Sequence, residues 1–185
     1  PSMAHKNKSI SNKPTGVDVI FLQTSKDTNG SLLEMQATYR PRSKERVVHY
    51  HPVQTELFTV ITGELTIRLD GTLVILRQGE QLEIKPNTVH SMWNNSNEPT
   101  VVNWKVQPAM KTEYFMETTA GLATDGKTNR DGMPDLFQSA LMANHFSREF
   151  RLAKLPFAIQ QIAFLFLVPL AILLGKKAVY NSYLD

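Results

Sequence analysis

Between residues 17 and 108 the chain breaks into short stretches, with a turn signal about every eight to ten residues. The clearest stretch is Glu64-Leu65-Thr66-Ile67-Arg68-Leu69-Asp70, where Leu65, Ile67 and Leu69 alternate with polar residues. Period-two alternation puts one row of side chains on each face of a strand. Asp70-Gly71 then suits a two-residue type I′ hairpin turn, and Thr62-Gly63 reads as a second such turn. Gln78-Gly79 and Pro86-Asn87 break the next two runs, and Asn87 tolerates a left-handed backbone at small cost. Strands are expected at 17–22, 31–40, 45–51, 56–62, 64–70, 72–77, 80–85, 90–94 and 100–107. The pattern predicts an all-β fold, an antiparallel sandwich or barrel.

The flanks differ. Residues 1–16 are rich in Lys, Ser and Asn and read as a flexible N-terminal arm. Pro1-Ser2 ahead of Met3 reads as a remnant added to the chain. The apolar run Val17–Leu22 contains Asp18 and is only 6 residues long, short of the roughly 7–15 an export signal needs. Residues 109–185 form a helical extension. A short helix is expected at 110–121, a loop from Asp125 to Pro134, and a helix of about 135–150 capped by Asp135, with Leu136, Ala140, Leu141, Phe146 and Phe150 as its apolar face. A further helix should start near Pro156. Its segment, Leu155 to Leu174, is 20 residues without a charge, flanked by Lys154 and Lys176-Lys177. Gln160, Gln161, the interior Pro169 and the minimal length weigh against a span. We expect a helix kinked near Pro169 and mostly covered by protein, by the barrel, the helix of about 135–150 or a second subunit, in a cytoplasmic homodimer. Membrane association through 155–174 is the alternative.

Composition removes several function classes. There is no cysteine, which excludes disulfide scaffolds, cysteine metal sites and thiol nucleophiles. A net charge of +3, from 20 Lys/Arg against 17 Asp/Glu, is too mild to indicate nucleic acid. Gly121-Leu-Ala-Thr-Asp-Gly126-Lys127-Thr128 matches the phosphate-loop pattern, but no strand precedes it and no helix follows at once, so no nucleotide is expected. The Asn29-Gly30-Ser31 and Asn94-Asn95-Ser96 triplets read as chance matches to a glycosylation signal.

His49, His51, Glu56 and His90 carry the chemistry. His49 and His51 stand two apart on an expected strand, so their rings leave the same face. Glu56 has the wrong parity for that face, but Pro52 and Gln54-Thr55 interrupt the strand and let it turn inward. His90 begins another strand 34 residues after Glu56. Three imidazoles and a carboxylate suit one divalent transition metal: Fe, Mn, Ni, Cu or Zn. Four protein ligands on a six-coordinate ion leave two positions for substrate, water or dioxygen.

In these residues the sequence resembles the cupins, small β-barrels with a central metal. The first cupin motif runs His-x-His, three or four residues, Glu, six residues, Gly; it appears as His49-Tyr50-His51, Glu56 and Gly63. The second appears as Gly79, then Lys85-Pro86-Asn87-Thr88-Val89-His90, then Asn94. Lys85 stands where the motif has Pro, Asn87 where it has Gly, and Ser43 near the place of the Gly that precedes the first His. All three departures leave the four ligand positions intact. The resemblance covers roughly 30–108 and implies a single-domain cupin-type jelly-roll barrel at 17–108 with the helical extension behind it. Many cupins pair as dimers, and the superfamily includes dioxygenases, isomerases, decarboxylases and plain binding modules. By parity Phe58, Val60, Met92, Asn94 and Trp104 should face the interior with Glu56 and His90. The resulting pocket is largely apolar and favours an aromatic or lipophilic ligand. The expected function is a mononuclear, metal-dependent, oxygen-using oxidoreductase of dioxygenase type, with Glu56 as acid or base when it leaves the metal. A non-catalytic ligand-binding module is one alternative, and an isomerase or decarboxylase another.

Overall fold

The computed structural model describes residues 4–184. The Pro1–Met3 start lies outside them. Eleven strands, β1 to β11, form two antiparallel sheets. The first sheet orders β1 (Ser9–Asn12), β2 (Val17–Gln23), β3 (Leu33–Tyr39), β10 (Thr100–Gln107), β5 (Thr55–Thr62) and β8 (Gln81–Ile84). The second orders β11 (Arg151–Leu152), β4 (His49–Tyr50), β9 (His90–Trp93), β6 (Glu64–Leu69) and β7 (Thr72–Arg77). The expected barrel thus takes the form of two facing sheets with jelly-roll crossovers.

Alternation is regular on β3 and less so on β6, where Thr66 is buried along with Leu65 and Ile67 and Leu69 is half-buried. On β3, Leu33, Met35, Ala37 and Tyr39 are buried and the residues between them are not. Their partners in the core include Phe21, Phe58, Leu65, Ile67 and Val102. Asp70 and Gly71 both take positive φ, 45° and 86°, and close a two-residue hairpin between β6 and β7. Asn87 is left-handed at φ 65°.

Thr62-Gly63 is not a hairpin. β5 and β6 lie in different sheets, so this turn carries the chain from one to the other. Gly63, at φ 81°, is pressed on the Pro99 carbonyl and the Thr100 side chain, each 2.8 Å from where a Cβ would sit. The arm reading of 1–16 is also corrected. Ser9–Asn12 pairs with β2 as an edge strand, because Ile10 and Ala4 have apolar partners in the main core.

Three helices follow β10: α1 (Thr112–Thr124), α2 (Leu136–His145) and α3 (Phe157–Leu173). Asp135 caps α2 by accepting from the Gln138 N–H at 3.0 Å. α2 stops five residues short of the expected 150, and residues 151–152 instead add β11 to the edge of β4. α3 starts after Pro156 and runs through Pro169. It packs on α2 with Phe164, Phe157, Leu167 and Val168 against Ala140 and Ala143. The opposite side is open: Leu165, Phe166 and Leu173 are 71, 68 and 81% exposed. The expected cover is thus met on one side only, by the helix expected at 135–150. Among the described residues no helix is long and apolar enough to cross a membrane.

The phosphate-loop pattern falls on the end of α1. Gly121 is there so that the Tyr183 ring can lie against the helix, since a Cβ would collide with it. Lys127 is tied to Asp125 and to the Tyr183 hydroxyl. The stretch therefore ends a helix, where the phosphate-loop pattern would join a strand to one.

Candidate metal centre

The two sheets bring four residues together from opposite sides. His49 on β4 pairs with His90 on β9, and His51 follows one residue after β4 ends. All three belong to the five-stranded sheet or its edge. Glu56 lies on β5 of the six-stranded sheet. Residues 51–54 leave the strand pattern and cross between the sheets, which resolves the parity conflict in the sequence. The imidazole centroids are 4.4 Å apart for His49–His90, 5.0 Å for His49–His51 and 5.2 Å for His51–His90. One nitrogen from each ring falls within a cluster 4.8 Å across. Glu56 Oε2 is 2.9 Å from His90 Nε2 and 3.1 Å from His51 Nε2.

Each ring is oriented from behind by a main-chain carbonyl. His49 Nδ1 lies 2.7 Å from the Val47 oxygen, His51 Nδ1 2.5 Å from the Glu149 oxygen and His90 Nδ1 2.9 Å from the Thr88 oxygen. A carbonyl only accepts, so each Nδ1 carries the hydrogen and each Nε2 of a neutral ring presents its lone pair to the centre. Glu56 is oriented in the same way, its Oε1 accepting from the Trp104 indole N–H at 2.9 Å. The inner atoms, by contrast, are unsatisfied. His51 Nε2, His90 Nε2 and Glu56 Oε2 are buried, close together, and not aligned for hydrogen bonds with one another. Buried polar atoms are rarely left so. Converging lone pairs with fixed outer hydrogens are the donor set a cation needs, and the residues fit a divalent metal.

The electrostatics agree. Burial, reinforced by the His90 and His51 charges, holds His49 well below the usual histidine range, so it is neutral near pH 7. Burial opposes ionisation of Glu56, but the His51 and His90 rings prevail and hold it well below the usual carboxylate range. Burial likewise opposes the charged form of His51, and the Glu56 carboxylate outweighs it, raising His51.

A cavity of about 150 Å³ opens from this cluster. Met92 and Trp104 are on its wall; Phe58 and Val60 are not, and belong to the packed core beside it. Asn94 is buried but structural, donating to the Tyr39 and Glu98 carbonyls. Sequence reasoning missed the far wall, which comes from outside the β-rich region: Phe115, Met142 and Phe150 from the helical part and Ile10 from β1. It also missed Phe150 against the His49 ring, at 4.9 Å between centroids.

Residues 35–105 match the family model of the cupin domain. Quercetin 2,3-dioxygenase of Bacillus subtilis (strain 168) is 35% identical over 95 residues, 51% of this chain and 28% of that protein. The chain therefore spans well under two thirds of that relative. Among solved structures, a predicted oxalate decarboxylase from Thermotoga maritima is similar with a TM-score of 0.49 at 20% identity, covering 56% of this chain and 92% of that one. An RmlC-like cupin from Shewanella frigidimarina gives 0.48 at 18%, covering 60 and 95%. A double-stranded β-helix protein from Klebsiella pneumoniae gives 0.43 at 24%, covering 49 and 76%.

Proposed function

We propose that this chain, a member of the cupin superfamily through its domain at 35–105, is a mononuclear metal enzyme of dioxygenase type. Its substrate in this reading is a small, largely apolar, aromatic molecule. The observation that carries the proposal is the set of buried, unaligned inner atoms of His51, His90 and Glu56 beside His49, each held from behind by a fixed partner. His49, His51, His90 and Glu56 are the proposed ligands. A bound divalent ion of Fe, Mn, Ni, Cu or Zn would supply a Lewis-acid centre and, where redox-active, a route for dioxygen chemistry.

The chain's own residues do the rest. Met92, Phe115, Met142 and Phe150 exclude water and favour an apolar body in the cavity. Glu56 Oε2 is the group placed to take a proton from a substrate hydroxyl brought to the centre, with Oε1 still held by Trp104. The dioxygenase relative supports this class of reaction.

The test is elemental analysis of protein purified without a metal-affinity column, followed by oxygen-uptake assays with flavonols and simpler enolic aromatics. Stoichiometric iron, copper, manganese or nickel together with uptake that is lost in His49→Ala supports the reading. Zinc with no uptake sinks the oxygen chemistry, and no metal at near-stoichiometric supply sinks the centre.

A further inference from the structure

The cavity has a polar corner that the metal cluster does not use. Tyr39 ends β3 with its side chain fully buried, and its hydroxyl has no hydrogen-bond partner. Burial pushes the phenol up to about 12, so it keeps its proton at any physiological pH. Arg46 is half-buried and lines the same cavity, and its charge acts on the Tyr39 phenol against the effect of burial. Among the described residues it makes no hydrogen bond and no ion pair. The nearby acids are already engaged: Glu45 by Arg68 and Ser91, and Asp131 by Lys44. An unpaired guanidinium beside an apolar cavity and an orphaned buried hydroxyl on the same wall are both costly. The guanidinium can only donate and the protonated phenol can donate, so both would be satisfied by the same thing, an anionic oxygen.

We propose that Arg46 and the Tyr39 hydroxyl form an anion-recognising corner of the cavity, so that the substrate is an apolar molecule bearing a carboxylate or similarly acidic oxygen. This rests on the reading of the cavity as the substrate site. The acidic group is held by the guanidinium and the phenol. The apolar body lies along Val17, Val19 and Met116. The remaining end is thereby aimed at the four-residue centre. Arg46 and Tyr39 are specificity residues in this scheme, not catalytic ones.

The test compares 3-phenylpropionate with its neutral amide, by calorimetric titration of the full chain as purified, with metal content measured on every sample. The acid should bind at least about tenfold more tightly than the amide, the scale of one charge-assisted hydrogen-bonded contact. Arg46→Gln and Tyr39→Phe should each shrink that preference and together abolish it, with metal content unchanged. Tyr39→Phe removes only an unpartnered hydroxyl, so it should keep its melting temperature, and it guards against a folding artefact in Arg46→Gln. Equal affinities for acid and amide, no binding of the acid at millimolar concentration, or a preference that survives the double variant would overturn the proposal. A preference that survives the double variant but vanishes in metal-free His49→Ala would mean that the carboxylate binds the metal instead. A preference intact in a chain that holds no metal would leave the corner standing and remove the metal reading alone.

Discussion

Trp104→Phe isolates what orients Glu56. The indole stacks on Phe58 with centroids 5.5 Å apart and planes 21° from parallel, and its N–H donates to Glu56 Oε1 at 2.9 Å. Phenylalanine keeps a ring against Phe58 and deletes the donor. The carboxylate is 1% exposed, so water does not easily replace the lost bond. A hydrogen bond to a charged group contributes about 1.5–3 kcal/mol, and a partner that orients a metal ligand is typically worth about 10–100-fold in affinity. The two agree, since tenfold is about 1.4 kcal/mol. Cobalt(II) binding to chelator-treated protein, followed by its visible absorption, should therefore weaken about 10–100-fold. The melting temperature of the metal-free variant gives the packing loss separately. If cobalt affinity is unchanged while the melting temperature falls, Trp104 is a packing residue and Glu56 is not a ligand that it aims.

Three further outcomes are expected. Gly63→Ala should cost about 2–4 kcal/mol in chemical denaturation, from left-handed strain and the contacts at Pro99 and Thr100; a smaller loss would mean that the crossover between sheets relaxes. In metal-free protein His49 is held below its unfolded value of 6.5, so the unfolded chain takes up the proton first and the His49 contribution falls as pH drops below about 6.5. His49→Asn should then lose less stability than the parent between about pH 7 and about pH 5, while an equal loss would refute the assignment. Leu165→Lys and Leu173→Lys, at exposed positions of α3, should change folding free energy by no more than about 0.5 kcal/mol, read by denaturation at low protein concentration.

Much of this was legible in the sequence, and the reasons are local. Period-two burial on β3 and the left-handed Asp70, Gly71 and Asn87 all depend on neighbours within a few residues. The four residues of the candidate centre were legible because two strands of a small β-fold must face the same interior. What failed depended on contacts distant in sequence. Thr62-Gly63 has hairpin chemistry, yet which sheet β6 joins is decided by β9 and β7. Ser9–Asn12 looks like a polar arm because its burial comes from packing beside β2, not from its own composition. Tyr39 and Arg46 carried no motif. Their interest comes from what they lack, a partner, and only assembled coordinates show that.

The family match stops at residue 105, and the site does not. Glu149, beyond α2, supplies the carbonyl that fixes the His51 ring. Phe150 lies against His49, and β11 pairs with β4 directly beside it. Gln54, on the crossover toward Glu56, donates to the Pro108 and Ala109 carbonyls and to Thr112 at the start of α1. The helical segment thus braces the His51 loop and forms part of the cavity wall, while the stretch that matches the cupin model supplies the four converging side chains. In the proposed reading, Arg46 and Tyr39 of the matched stretch share substrate choice with the cavity wall that the extension adds. Exchanging residues 112–146 for those of another chain of this type, with Glu149 to Leu152 kept to hold His51 and β4, should therefore move substrate preference while leaving metal content unchanged, and a preference that stays put would refute the part given to the extension.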